Sequence, residues 1–184
     1  MIFNKTSFPG LYLIEPKVFG DSRGYFFESF NLPEFEKAIG KIEFLQDNES
    51  KSGYGVLRGL HFQKPPFTQA KLVRCISGSI LDVVVDLRSG SPTFKKNYTT
   101  LLSGDNKLQL FIPRGFAHGF VVVSEEAIFS YKVDNLFAPD HDAGIRFDDP
   151  ELLIDWKLPT TALKLSAKDS TLPFLAETIL PVFM

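Results

Sequence analysis

The chain has 184 residues, 44% of them apolar, which suits one domain with a packed core and argues against wholesale disorder. Its 20 basic and 22 acidic residues leave a net charge of −2 with no basic block, so a nucleic-acid groove is not indicated. A lone Cys75 excludes an intrachain disulfide and a cysteine cluster for zinc.

Met1 to Lys5 lacks a basic start followed by an apolar signal core, and no apolar run approaches the ~18 residues of a membrane span. The chain therefore reads as soluble and cytoplasmic, with no membrane partner. Phe is overused, at 19 copies, which leans toward strands.

In chain order, the first apolar run of strand length is Gly10 to Ile14. Gly20-Asp21-Ser22-Arg23-Gly24 is a turn signal before Tyr25 to Phe30. A helix follows. Asn31 caps it, Pro33 and Glu34 lie in its first turn, Phe35, Ala38 and Ile39 form its apolar side, and Gly40 ends it. Strands are then predicted at Ile42 to Gln46, Val56 to Gln63, Lys71 to Ile76 and Ile80 to Leu87. Further strands are predicted at Asn97 to Leu102, Leu108 to Ile112, Phe116 to Val123 and Ala127 to Val133. Pro159, Pro173 and Pro181 predict turns and short helical pieces in the tail. Residues 1–184 read as one all-β domain, a sandwich or barrel.

The histidines are His61, His118 and His141. His61 and His118 sit inside strand patterns, and either is as readily a core histidine held by hydrogen bonds as a functional one. His141, in Pro139-Asp140-His141-Asp142, reads as solvated. Asp82 and Asp86 alternate with Val83 and Val85. They read as surface carboxylates, unless Asp82 points into a barrel and orients a site residue. Strict alternation also puts Arg58 and His61 on opposite faces of their strand, unless Gly59 marks a bulge.

Pro113-Arg114-Gly115-Phe116-Ala117-His118 resembles the second signature of the cupin β-barrels. The first cupin signature carries two histidines one residue apart, whereas this chain has His61-Phe62-Gln63. A metal site of two histidines and a carboxylate is therefore not expected.

The ordered set is more specific than any one motif. Gly20 to Gly24, Gln46-Asp47-Asn48, Leu57 to Gln63 and Lys71-Leu72-Val73-Arg74 come first. Asp82 to Asp86, Pro113 to Phe120, Tyr131-Lys132 and Ser166-Ala167-Lys168-Asp169 follow. Together they resemble the dTDP-4-dehydrorhamnose 3,5-epimerase family, the RmlC-like cupins, from about Gly10 to Asp169.

The resemblance implies a double-stranded β-helix, or jelly roll, with a few short helices, that forms a homodimer. It implies cofactor-free, metal-free epimerisation at C3, C5 or both of a dTDP-linked 4-keto-6-deoxyglucose. His61 matches the catalytic base, Asp169 its hydrogen-bonded partner, Tyr131 the proton donor and Lys71 the residue beside the ketone oxygen. Arg23, Glu28, Gln46, Asn48, Arg58, His118 and Lys168 match substrate-binding positions. Asp142 matches a further substrate-binding position, one where many members carry Glu, and Phe137 stands where Tyr is common. The family's N-terminal strand pairs with the partner subunit's sheet, and the turn bearing Arg23 closely follows the first strand, which leaves open whether Arg23 acts in trans. Two other readings stay open at this point. One is a metal-dependent cupin enzyme, and the other is a non-catalytic sugar-nucleotide-binding barrel.

Overall fold

The structure, a computed structural model, describes residues 1–183. Its strands are β1 (Ile2–Lys5), β2 (Tyr12–Glu15), β3 (Phe19–Asp21), β4 (Gly24–Phe26), β5 (Gln46–Gly53), β6 (Leu57–Gln63) and β7 (Lys71–Ser77). Then come β8 (Ser79–Asp86), β9 (Asn97–Ser103), β10 (Gln109–Ile112), β11 (Phe116–Val122), β12 (Glu126–Val133) and β13 (Asp142–Gly144). Helix α1 (Leu32–Ala38) follows β4, and α2 (Ala167–Ser170) lies in the tail. Asn31 caps α1 by accepting from the Glu34 amide, as its sequence position predicts.

The strands form an antiparallel jelly roll of two large sheets. One has the order β1-β2-β10-β7-β12-β5, the other β13-β6-β11-β8-β9, and β3-β4 is a separate hairpin. Val73 and Cys75 of β7, Leu110 and Ile112 of β10, and Phe129 of β12 meet Ile80 and Val84 of β8 and Phe116 and Phe120 of β11 between the sheets.

Both outer faces are also covered. Trp156, Phe147, Leu152 and Leu175 from the tail pack over Leu81, Val83, Val85 and Val121 of the five-stranded sheet. Phe35 of α1 packs over Ile14, Leu72 and Phe111 of the six-stranded sheet. This explains why β8 and β11 read as near-continuous apolar runs: they are buried on both sides.

Three expectations are corrected. No strand covers 42–45; Ile42 and Phe44 instead pack against the α1 cluster. The strand is the polar β5, an edge strand held by its ladder to β12. Asp86 is fully buried rather than on the surface, and Asp82 takes its other reading, buried between the sheets and bonded to His118. They share the inward parity of Ile80 and Val84, and Asp86 accepts from Arg88, Ser91 and Thr93. His141 is part-buried, its ring 4.5 Å from that of Phe67.

Candidate active site

The two sheets leave between them a cleft of about 570 Å³, a size typical of small-molecule sites. Among its lining residues are Asn48, Arg58, His61, Lys71, His118, Tyr131, Lys168 and Asp169. The walls have different origins. His61 and Arg58 come from β6 and His118 from β11 of one sheet. Lys71 comes from β7, Tyr131 from β12 and Asn48 from β5 of the other. Lys168 and Asp169 arrive on α2.

Gly59 is what lets Arg58 and His61 share the cleft. Across the β6–β11 pair, His118 faces His61 and Phe120 faces Arg58. Two steps along β11 thus match three along β6, which is a bulge. Gly59 has φ +126°, a region that favours glycine. A Cβ there would sit 2.5 Å from the Gly119 Cα, so the two glycines allow the strands to nest.

His61 Nε2 lies 2.5 Å from Asp169 Oδ1. An ionised carboxylate only accepts, so Nε2 carries a proton, and in the neutral ring Nδ1 keeps its lone pair. Burial acts to raise the Asp169 pKa, but hydrogen bonds from His61 and Ser166 outweigh it and hold the carboxyl below its usual range. A second pair lies beside the first. His118 Nε2 is 2.8 Å from Asp82 Oδ2, and the His118 ring stacks on Phe129 at 5.9 Å.

On the facing wall, Lys71 Nζ is 5.7 Å from the centre of the Tyr131 ring. Burial lowers the Lys71 pKa to about 8, against the opposing pull of Asp142 and Asp82. Burial also raises the Tyr131 pKa, so its phenol keeps its proton across the neutral range. Arg58 is braced by Nε and Nη2 contacts of 3.2 and 3.1 Å to Ser52 Oγ. Lys168 pairs with Asp142.

The cleft thus holds an oriented imidazole, an ammonium and a protonated phenol, with cations at its rim. Such a set can take a proton from carbon, stabilise an oxyanion and return a proton. Gln63, at the place of the second cupin histidine, is occupied elsewhere. Its amide nitrogen donates to the carbonyls of Phe67 and Leu136, and its oxygen accepts from the Ala138 amide. Among the described residues there is no group of three or more His, Cys, Asp or Glu side chains placed to hold a metal ion.

Four candidates lie outside the cleft lining, among them Asp142, which reaches it only through its pair with Lys168. Arg23 sits on the β3–β4 hairpin, its side chain 87% exposed and paired to Asp21. Glu28 accepts from Asn31, and Gln46 donates to Asn48 while accepting from the Phe137 amide. Sequence reasoning gave no role to Ser166, which bonds Asp169. The Ser-x-x-Asp spacing of a helix cap was its available signal.

Residues 5–177 match the family model described as dTDP-4-dehydrorhamnose 3,5-epimerase. The chain belongs to the dTDP-4-dehydrorhamnose 3,5-epimerase family. It is 50% identical over 182 residues to the enzyme of that name from Salmonella typhimurium, covering 98% of each chain. The Shigella flexneri enzyme is 53% identical over 166 residues, 90% of this chain and 91% of that one. A crystal structure of the Legionella pneumophila epimerase in complex with dTDP-4-keto-L-rhamnose superposes with a TM-score of 0.95. It is 44% identical and covers 100% of this chain and 98% of that one.

Proposed function

We propose that this family member epimerises dTDP-4-dehydro-6-deoxyglucose to dTDP-4-dehydrorhamnose through an enolate, with His61 as base and Tyr131 as acid. The observation that carries the reading is the pairing of the His61–Asp169 dyad on one wall with Lys71 and Tyr131 on the other. The Legionella relative's bound ketosugar nucleotide supports a dTDP-linked ligand.

The chemistry follows from the ketone. The 4-keto group acidifies hydrogens on both C3 and C5, so one electrophilic site serves two carbons. Neutral His61 takes the proton, and Asp169 orients the ring and stabilises the imidazolium. The Lys71 ammonium meets the charge that develops on the ketone oxygen. Tyr131, on the opposite sheet, returns a proton to the other face. Arg58 and Lys168 provide the positive charge for a diphosphate, with Asn48 and His118 completing the binding surface. Asp142 is carried over only through its pairing with Lys168.

Proton NMR of the ketosugar nucleotide in deuterated water with added chelator tests the reading. The C3 or C5 hydrogens, or both, should exchange, with product of inverted configuration. Because burial depresses the Lys71 pKa to about 8, its charged form is complete below that pH and lost above it. The rate should therefore fall as pH rises through about 8. Lys71→Gln should remove that alkaline limb and lower turnover by about 10²–10³-fold. Absence of exchange at both carbons, or a requirement for added divalent metal, would overturn the proposal.

The protein acts as a homodimer in the cytoplasm. Arg23 lies on a hairpin whose Phe19, Tyr25 and Phe26 are exposed, and it falls outside its own chain's cleft. A second copy would cover those side chains and bring Arg23, with Glu28 and Gln46 at the periphery, toward a diphosphate. The pairing of β1 with β2 on the chain's own sheet leaves the other edge of β1 open for such an association. Free, buried Cys75 fits a reducing compartment. Sedimentation at assay concentration should find a dimer, and Arg23→Ala should weaken nucleotide binding. A fully active monomer would refute the arrangement.

A further inference from the structure

We infer that Ser166 is a positioning residue for His61, acting through Asp169: its hydroxyl fixes the carboxylate that fixes the imidazole. The inference rests on the reading of His61 as the base.

Ser166 is the N-cap of α2 and makes two bonds to one residue. Its Oγ accepts from the Asp169 amide at 3.0 Å and donates to Asp169 Oδ2 at 2.8 Å. The direction is fixed by chemistry, since an ionised carboxylate accepts only and a hydroxyl has one hydrogen to give. The two carboxylate oxygens are thereby divided, Oδ1 to His61 and Oδ2 to Ser166. Among the described residues no other side chain bonds to Asp169.

Two features make that hydroxyl matter. Asp169 is only 3% exposed, so solvent has little access to replace a lost donor. The Asp χ2 torsion is also broad and roughly two-fold, so a carboxylate held by one oxygen alone can swing. With Oδ2 anchored, Oδ1 faces His61 in one orientation and the ring keeps Nδ1 toward the cleft. The element that carries Asp169 is four residues long, too short to be stable through its own ladder. Ser170 and Thr171 bond back to backbone carbonyls of that turn and leave the carboxylate alone.

The test compares Ser166→Ala, Ser166→Gly and Ser166→Thr for kcat, KM, pH profile and melting temperature, with His61→Asn assayed alongside. Glycine is tolerated at an N-cap almost as well as serine, whereas alanine there costs stability. Both variants lose the donor to Oδ2. Both should lose roughly 10-fold in kcat with KM unchanged, the order expected from one lost hydrogen bond to the dyad. In both, Asp169 itself should take a proton at higher pH than in the wild type, because a carboxylate with one donor fewer is protonated more readily. Ser166→Thr, which keeps the hydroxyl, should restore most of the rate.

If activity instead tracks melting temperature, with glycine near wild type and alanine low, Ser166 is a helix cap only and the inference fails. It also fails if Ser166→Ala keeps the wild-type rate and pH profile while His61→Asn is inactive. Exchange that survives in His61→Asn would remove the underlying assignment of the base, and the role of Ser166 with it.

Discussion

His61→Asn is expected to abolish deuterium uptake at C3 and C5 while leaving nucleotide binding intact. The expected loss is about 10²–10⁴-fold, the range that a positioned base contributes. Asparagine keeps a planar polar group of similar size beside Asp169, so packing around β6 should survive. What disappears is the Nδ1 lone pair, because an amide does not accept a proton near pH 7. Calorimetry with dTDP should give wild-type affinity, since the cations at the rim are untouched. Exchange at a substantial rate in this variant would assign the base elsewhere, and His118, which has its own carboxylate in Asp82, would be the next residue to test.

Asp169→Asn separates orientation from basicity. The imidazole remains, but an amide at that position can present a donor to Nε2 and favour the other tautomer, turning Nδ1 into a donor. A loss comparable to that of His61→Asn, or somewhat smaller, is expected in the same exchange assay.

The strands were legible wherever a run was buried on one or both faces, as β7, β8, β11 and β12 are. Where an element is held by backbone pairing rather than by burial, composition was silent or misleading. The polar β5 went unread and the apolar residues 42–46 were read in its place, because Ile42 and Phe44 serve the outer cluster around Phe35. Short β1, β3 and β13 belong to the same class. Each has three or four residues, too few for a periodic signal.

The site divides in a similar way. His61, Lys71, His118, Tyr131, Lys168 and Asp169 were named from the ordered motifs, and the fold gathers them on one cleft. Local reading alone left His61 and His118 evenly balanced and did not single out the others, because the six are spread over five elements that only the topology unites. The Arg58–His61 conflict showed the limit of strict alternation. Gly59 marked the place, but the registers of β6 and β11 were needed to show that a bulge occurs there. The burial of Asp86 was misjudged, and that of Asp82 left open, for a related reason. Alternation gives the face of a residue but does not say whether that face meets water or a second sheet.

Tyr131→Phe is expected to uncouple exchange from inversion. His61 and Tyr131 stand on strands of opposite sheets, β6 and β12, so abstraction and delivery belong to different walls of the cleft. Burial keeps the Tyr131 proton in place across the neutral range, which is the state an acid needs. The substitution removes one hydroxyl and preserves the ring that packs against Phe129 at 5.6 Å. His61 can still form the enolate in this variant. That enolate then collapses by taking a proton from the His61 side or from solvent. The variant should therefore wash deuterium into the substrate while yielding little inverted sugar. A Tyr131 that served packing alone would lower exchange and inversion together, through loss of folded protein. The deciding quantity is the ratio of washed-in deuterium to epimerised product, measured for wild type and variant on the same substrate. A ratio that rises sharply in the variant assigns delivery to the phenol, and an unchanged ratio assigns it to another acid or to a held water.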